Sequence, residues 1–142
     1  MKGMTLIVKT VTRLTLGLIM LFGFYIFMHG HVSHGVGFAG GVIIALGFIH
    51  LMLAYGKKYA AAKIGEKQAY LLKNSGLLIL LAISAAGFMY GKGFLGNFLG
   101  NGKPFELFSA GIMLLFNTAI CAVVAGCLYL VFITLVEFKI KK

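Results

Sequence analysis

The sequence HGHVSHGVGFAGG, from His29 to Gly41, holds three of the four histidines of the chain and lies between two long apolar segments. Clustered histidines can bind a metal or serve catalysis, whereas glycines permit positive φ angles and close backbone approach. Because the flanking segments are long enough to cross a membrane, we interpret this stretch mainly as a sharp reversal between two membrane helices.

The composition is that of an integral membrane protein. Of the 142 residues, 61% are hydrophobic and only 11% are charged, which is more apolar surface than a soluble domain buries. A helix needs about 20 apolar residues to cross a hydrocarbon core of roughly 30 Å. Four segments qualify, near residues 11–28, 36–55, 71–90 and 111–135. The sequence therefore predicts an all-α membrane protein with four transmembrane helices in a single domain, residues 1–142.

The distribution of positive charge predicts the orientation of the helices. Eleven of the 13 lysines and arginines lie in three regions that four spans place on one side. These residues are Lys2, Lys9 and Arg13; Lys57, Lys58, Lys63, Lys67 and Lys73; and Lys139, Lys141 and Lys142. Such residues concentrate on the cytoplasmic side of membrane helices. We expect both termini in the cytoplasm and a multi-pass location in the cell membrane, and the net charge of +10 then indicates topology rather than nucleic-acid binding.

Few side chains are suited to chemistry inside the membrane. The chain has no aspartate, and its three glutamates, Glu66, Glu106 and Glu137, lie in predicted loops or at a helix end. Ion-coupled transporters usually carry a carboxylate within the bilayer, so this chain is not expected to transport ions alone or to act as an enzyme. His50 can relay protons or form a hydrogen bond with a neighbour. Asn117 carries no proton by itself and can form an interhelical hydrogen bond.

A metal site at the histidine cluster is an alternative interpretation. His29, His31 and His34 have imidazole groups that suit zinc or copper, but their spacing matches no standard zinc pattern. Haem ligation needs two histidines at the same depth in the membrane. His50 is expected near the surface opposite to the histidine cluster, so the sequence offers no such pair. We predict no metal and no cofactor. A small stand-alone channel or metal carrier that uses the three clustered histidines is the alternative function.

Small residues recur at the spacing that lets membrane helices pack closely. Gly37, Gly41 and Ala45 form one such row in the second predicted helix. A second row, in the fourth predicted helix, consists of Thr118, Ala122 and Gly126. Rows of this kind drive helix association in lipid. We expect these residues to form helix contacts within the chain and with other subunits.

The segment FGFYIFMHGHVSHGVGFAGGVIIA, Phe22 to Ala45, resembles the MnhB family, the B-type subunit of Mrp multisubunit sodium/proton antiporters. Related subunits occur in the membrane arm of archaeal membrane-bound hydrogenases and sulfane reductases. The family has Gly-His, a spacer, Pro-Gly-Gly-Gly-Phe and then Gly-Gly. The matching residues here are Gly30, His31, Gly37, Phe38, Gly40 and Gly41. His34 replaces the family proline, Val36 replaces its middle glycine, and Phe116-Asn117 replaces a frequent Phe-Asp.

The resemblance implies a non-catalytic subunit of an antiporter-type module, mainly structural and interface-forming. Its partners would be other membrane subunits of the module and, in a redox-driven complex, a hydrogenase or iron–sulfur arm. The candidates for an ion path are His31, His50 and Asn117. The residues expected to form the turn and the packing face are Gly30, Gly37, Phe38, Gly40, Gly41 and Ala45.

Overall fold

A computed structural model describes residues 4–31, 33, 35–99 and 110–140, without the side chains of His31, Lys139 and Ile140. The helices are α1 (Leu6–Met28), α2 (Val36–Tyr55), the short α3 (Lys57–Lys63), α4 (Glu66–Met89) and α5 (Met113–Ile140). Four of them, α1, α2, α4 and α5, are long and apolar enough to cross a membrane. The predicted four-helix membrane fold is therefore confirmed.

The four long helices pack in the order α1, α2, α5, α4. Helix α2 lies between α1 and α5, and α5 lies between α2 and α4. Helices α2 and α5 run parallel, because Gly37 meets Asn117 near one end and Phe48 meets Tyr129 further along. Helices α1 and α4 run antiparallel to this central pair. The central pair is accordingly more buried than the two outer helices.

Three helices extend about five residues beyond the predicted segments. Helix α1 begins at Leu6, α4 begins at Glu66, and α5 ends at Ile140. An apolar window marks only the part of a helix that crosses hydrocarbon, whereas Lys, Glu and Gln also form helix well in water. Lys67 lies between the second and third predicted segments, and the expectation that it belongs to a loop is wrong, since it lies on α4.

The segment between α2 and α4 contains the short helix α3. Gly56, with φ of 88°, allows the chain to leave α2 and to enter α3 directly. Lys57 at the start of α3 forms an ion pair with Glu137 near the end of α5. Helix α3 packs against α2, and the extended residues Ile64 and Gly65 separate it from α4.

Tyr129 of α5 holds the extended segment between α3 and α4 in place. Its side chain is 3% exposed, and its hydroxyl donates a hydrogen bond of 2.9 Å to the carbonyl oxygen of Ile64. We expect Tyr129→Phe to lower the free energy of unfolding by about 1 kcal/mol, because the half-buried Ile64 carbonyl oxygen loses its donor. Thermal unfolding in detergent measures this loss. Tyr70→Phe is the matched control, since Tyr70 is 51% exposed; an equal loss in both variants would contradict the assignment.

Candidate functional site

Asn117 joins the turn between α1 and α2 to the start of α5. Its side chain is buried, and its Nδ2 donates a hydrogen bond of 3.0 Å to the carbonyl oxygen of Gly30, in the 3-10 turn His29–His31. Gly37 lies on the other side: a Cβ there would be 2.6 Å from the carbonyl oxygen of Asn117. We call Gly30, Gly37 and Asn117 the turn contact. It needs glycine at position 37, because a side chain there has no space.

The histidine cluster is described only in part. The His29 Nδ1 donates a hydrogen bond of 3.1 Å to the Tyr25 carbonyl oxygen, and the ring packs on Tyr25 at 4.3 Å between centroids. His34 and the side chain of His31 lie outside the described residues. Across the described part of the chain, no group of three His, Cys, Asp or Glu side chains is placed to hold a metal. Gly35, with φ of 82°, completes the reversal into α2.

The paired glycines of α2 face two different neighbours. A Cβ on Gly40 would lie 2.8 Å from the Cβ of Phe27 on α1, and one on Gly41 would lie 2.7 Å from the Cys121 carbonyl oxygen on α5. Ala45 is 0% exposed. Each glycine thus allows one helix to approach α2. Phe38, by contrast, is 59% exposed and belongs to the outer surface of the bundle.

A second polar contact joins α1 and α2 near their other ends. The His50 Nε2 lies 3.2 Å from the hydroxyl oxygen of Thr12, which is 1% exposed. Nearby, the Tyr55 hydroxyl donates a 3.0 Å hydrogen bond to the Lys9 carbonyl oxygen. Which of Thr12 and His50 donates depends on the histidine tautomer.

The candidate ion-path residues do not form one site. His50 lies 13 positions after Gly37 on α2, which is about 20 Å at 1.5 Å per residue. Asn117 is therefore close to the turn that contains His31 but far from His50. The polar residue that sequence reasoning missed is Thr12. Thr12 and His50 are almost equally distant from the turn along the chain, and an antiparallel hairpin places such residues at one level.

A family model, described as "Domain related to MnhB subunit of Na+/H+ antiporter", matches residues 7–130. The chain belongs to this family. The match includes the turn contact, the Thr12–His50 pair, all of α2 and α4, nearly all of α1 and the first 18 residues of α5. It confirms the resemblance that the turn sequence carries, and it places the MnhB-type domain over most of the chain.

Named antiporter subunits of bacteria align with about two thirds of this chain. The B-type subunit of the Na(+)/H(+) antiporter of Bacillus subtilis is 36% identical over 90 residues, which are 63% of this chain and 62% of that protein. Putative antiporter subunit mnhB2 of Staphylococcus epidermidis is 33% identical over 97 residues, and that of Staphylococcus saprophyticus is 30% identical over 95 residues. Each of these two alignments spans 67% of both chains. The chain thus spans 62–67% of the length of these three relatives.

Proposed function

We propose that this chain is a multi-pass membrane subunit of a Na+/H+ antiporter-type complex, with a structural and interface-forming role and no enzymatic activity of its own. The match to the MnhB family over residues 7–130 carries this proposal. The placement of the acidic residues supports it. Glu66 lies in the first turn of α4, and Glu137 lies in the ion pair near the end of α5. The carboxylates that bind ions within the membrane would then belong to partner subunits.

The same proposal includes the location and the surroundings of the chain. The charge distribution supports a place in the cell membrane with both termini in the cytoplasm. The partners would be the other membrane subunits of the module. The complex would be either a free-standing antiporter or the membrane arm of a redox enzyme with a hydrogenase or iron–sulfur part.

Purification of the tagged chain from its own membranes in a mild detergent tests this function. We expect several multi-pass subunits to copurify in fixed stoichiometry, and mass spectrometry identifies them. Iron–sulfur or hydrogenase subunits among them would assign the chain to a redox-driven arm. A chain that purifies alone and conducts ions or metals in vesicles would instead support the stand-alone carrier that uses His29, His31 and His34.

The structural role also predicts the behaviour of His50 and Thr12. We expect His50→Ala and Thr12→Val each to cost about 1 kcal/mol of stability, because each removes one hydrogen bond between α1 and α2. The double variant should cost less than the sum of the two, since both changes remove the same contact. Sodium-dependent proton transport by the assembled complex should keep its pH profile.

The same transport measurement is made with His31→Ala and with His29→Ala, in which an exposed histidine serves as the control. A pH profile that shifts in the assembled His50 or His31 variant, but not in the His29 variant, would make that residue part of an ion path.

A further inference from the structure

Lys73 of α4 has a half-buried side chain, and its backbone lies opposite the middle of α5. Gly126 allows this approach: a Cβ on Gly126 would lie 3.0 Å from the Ala69 carbonyl oxygen and 3.1 Å from the Lys73 Cβ. Gly126 is midway along the 28-residue α5. The Cβ of Lys73 is therefore about 20 Å from either end of that helix, at 1.5 Å per residue.

The amine of Lys73 has an aromatic neighbour but no acidic one among the described residues. It lies 5.2 Å from the centroid of the Tyr70 ring, one turn nearer to the start of α4. In the part of the chain that the structure describes, the one ion pair joins Lys57 and Glu137. The positive charge of Lys73 is thus without a carboxylate in residues 4–31, 33, 35–99 and 110–140.

A second polar group accompanies Lys73 on the outer surface of α4. The side chain of Asn74 is exposed, and its carboxamide forms no hydrogen bond with the described residues. Tyr70 and Leu77, one turn away on either side, are 51% and 49% exposed. We call Tyr70, Lys73, Asn74 and Leu77 the α4 face. It combines a charge and an unpaired amide with apolar side chains at membrane depth.

Contact between the α4 face and lipid is energetically unfavourable. An ammonium group and a carboxamide inside the hydrocarbon region are costly unless other groups pair with them, and intramembrane charges therefore usually face protein or water. Polar side chains of neighbouring helices form hydrogen bonds that hold transmembrane helices together. The α4 face thus has the composition of a protein interface rather than of a lipid-facing surface.

We propose that the α4 face binds a transmembrane helix of another subunit, and that this helix carries an aspartate or glutamate that pairs with Lys73. The inference rests on the proposed function, because it requires a complex with other membrane subunits. The acidic group is not expected from the spanning part of a second copy, since the chain has no aspartate, Glu66 and Glu137 lie near helix ends, and Glu106 lies outside the four apolar segments of the sequence. Charge complementarity therefore specifies a different, acidic partner helix.

The test uses the complete complex in its own membranes. Lys73→Met keeps the length and the apolar stem of the side chain but removes the charge, and Lys73→Arg keeps the charge. We expect Lys73→Met to weaken retention of the chain in the solubilised complex by roughly 30-fold, as when one partner of a buried charge pair is removed. Lys73→Arg should retain most of the binding. Lys67→Met is the matched control, because Lys67 is exposed in the first turn of the same helix.

A second measurement keeps the proposal testable if Lys73→Met fails to fold. A photoreactive benzoylphenylalanine in place of Leu77 should cross-link to a segment of another subunit that contains an aspartate or glutamate. Lys73→Glu combined with lysine at that acidic position should then restore retention. Unchanged retention of Lys73→Met, or cross-links to lipid or to a second copy alone, would overturn the proposal. If the unmodified chain copurifies with no other subunit, the proposed function itself has failed.

Discussion

Gly41→Leu is expected to remove this chain from its purified complex. Gly41 lies where α2 meets α5, and even a Cβ at this position would come within 2.7 Å of the Cys121 carbonyl oxygen and 2.9 Å of the Val124 Cβ. Backbone cannot move aside as a flexible side chain can, so a leucine forces the two helices apart. The contact between α2 and α5 is the main one that joins the α1–α2 hairpin to the α4–α5 pair. Its loss separates the two halves of the subunit.

Alanine variants at two glycines make this prediction quantitative. Gly41→Ala should lower the free energy of unfolding in detergent by about 1–3 kcal/mol, which is the usual cost of overpacking. Gly17→Ala is the matched control, since a Cβ on Gly17 of α1 meets nothing within 4 Å. That variant should be neutral or more stable by up to about 1 kcal/mol, because alanine favours helix over glycine. Equal effects at both positions would mean that close packing at Gly41 does not hold α2 against α5.

The four spans follow from apolar length alone, but their order in space does not. Nothing in the sequence states that α5, the last helix, lies between α2 and α4. The row Gly37, Gly41 and Ala45 does form one face, because both of its glycines have α5 as their neighbour. The row Thr118, Ala122 and Gly126 does not form one packing face within the chain. Thr118 is exposed, with its hydroxyl bonded to the Leu114 carbonyl oxygen of its own helix.

The position of α5 explains why Thr118, Ala122 and Gly126 do not share one neighbouring helix. Helix α5 packs against two helices: Asn117 and Cys121 approach the glycines of α2, whereas Ala119 and Val123 approach Gly76 of α4. A spacing of four residues describes one straight face, and a helix between two neighbours needs two faces. Sequence spacing therefore predicts that small residues pack but not which neighbour they meet.

The polar contacts are predictable only in part. An interhelical hydrogen bond is expected of Asn117, but its acceptor, the Gly30 carbonyl, is a backbone group that no side-chain pattern reveals. Gly40 contacts α1 and Gly41 contacts α5, and neither contact can be predicted without knowing where those two helices lie. The loop expected at Lys67 follows from the polar residues that precede the third apolar segment, although helix propensity allows α4 to begin earlier.

Asn117→Leu is expected to lower the free energy of unfolding by about 3 kcal/mol, through a buried carbonyl left without its donor and through overpacking. Asn117 fills the space between Gly30 and Gly37, and a Cβ on Gly37 would already lie 2.8 Å from the Asn117 Cα. The branched leucine cannot donate to the Gly30 carbonyl oxygen. Thermal unfolding of the complex in detergent, with the amount of this chain retained after purification, measures both consequences.

Asn117→Asp separates the hydrogen bond from the shape, because it exchanges an amide for a carboxyl group of the same size. At neutral pH an ionised carboxylate would face the Gly30 carbonyl oxygen, two acceptors at the 3.0 Å separation where Asn117 now donates. We expect a loss of about 1–3 kcal/mol there. The loss should shrink as the pH falls, because a protonated carboxyl group can donate again. An aspartate variant whose stability does not change with pH would contradict the hydrogen bond of the turn contact, and a pH-independent loss in both variants would assign the effect to packing alone.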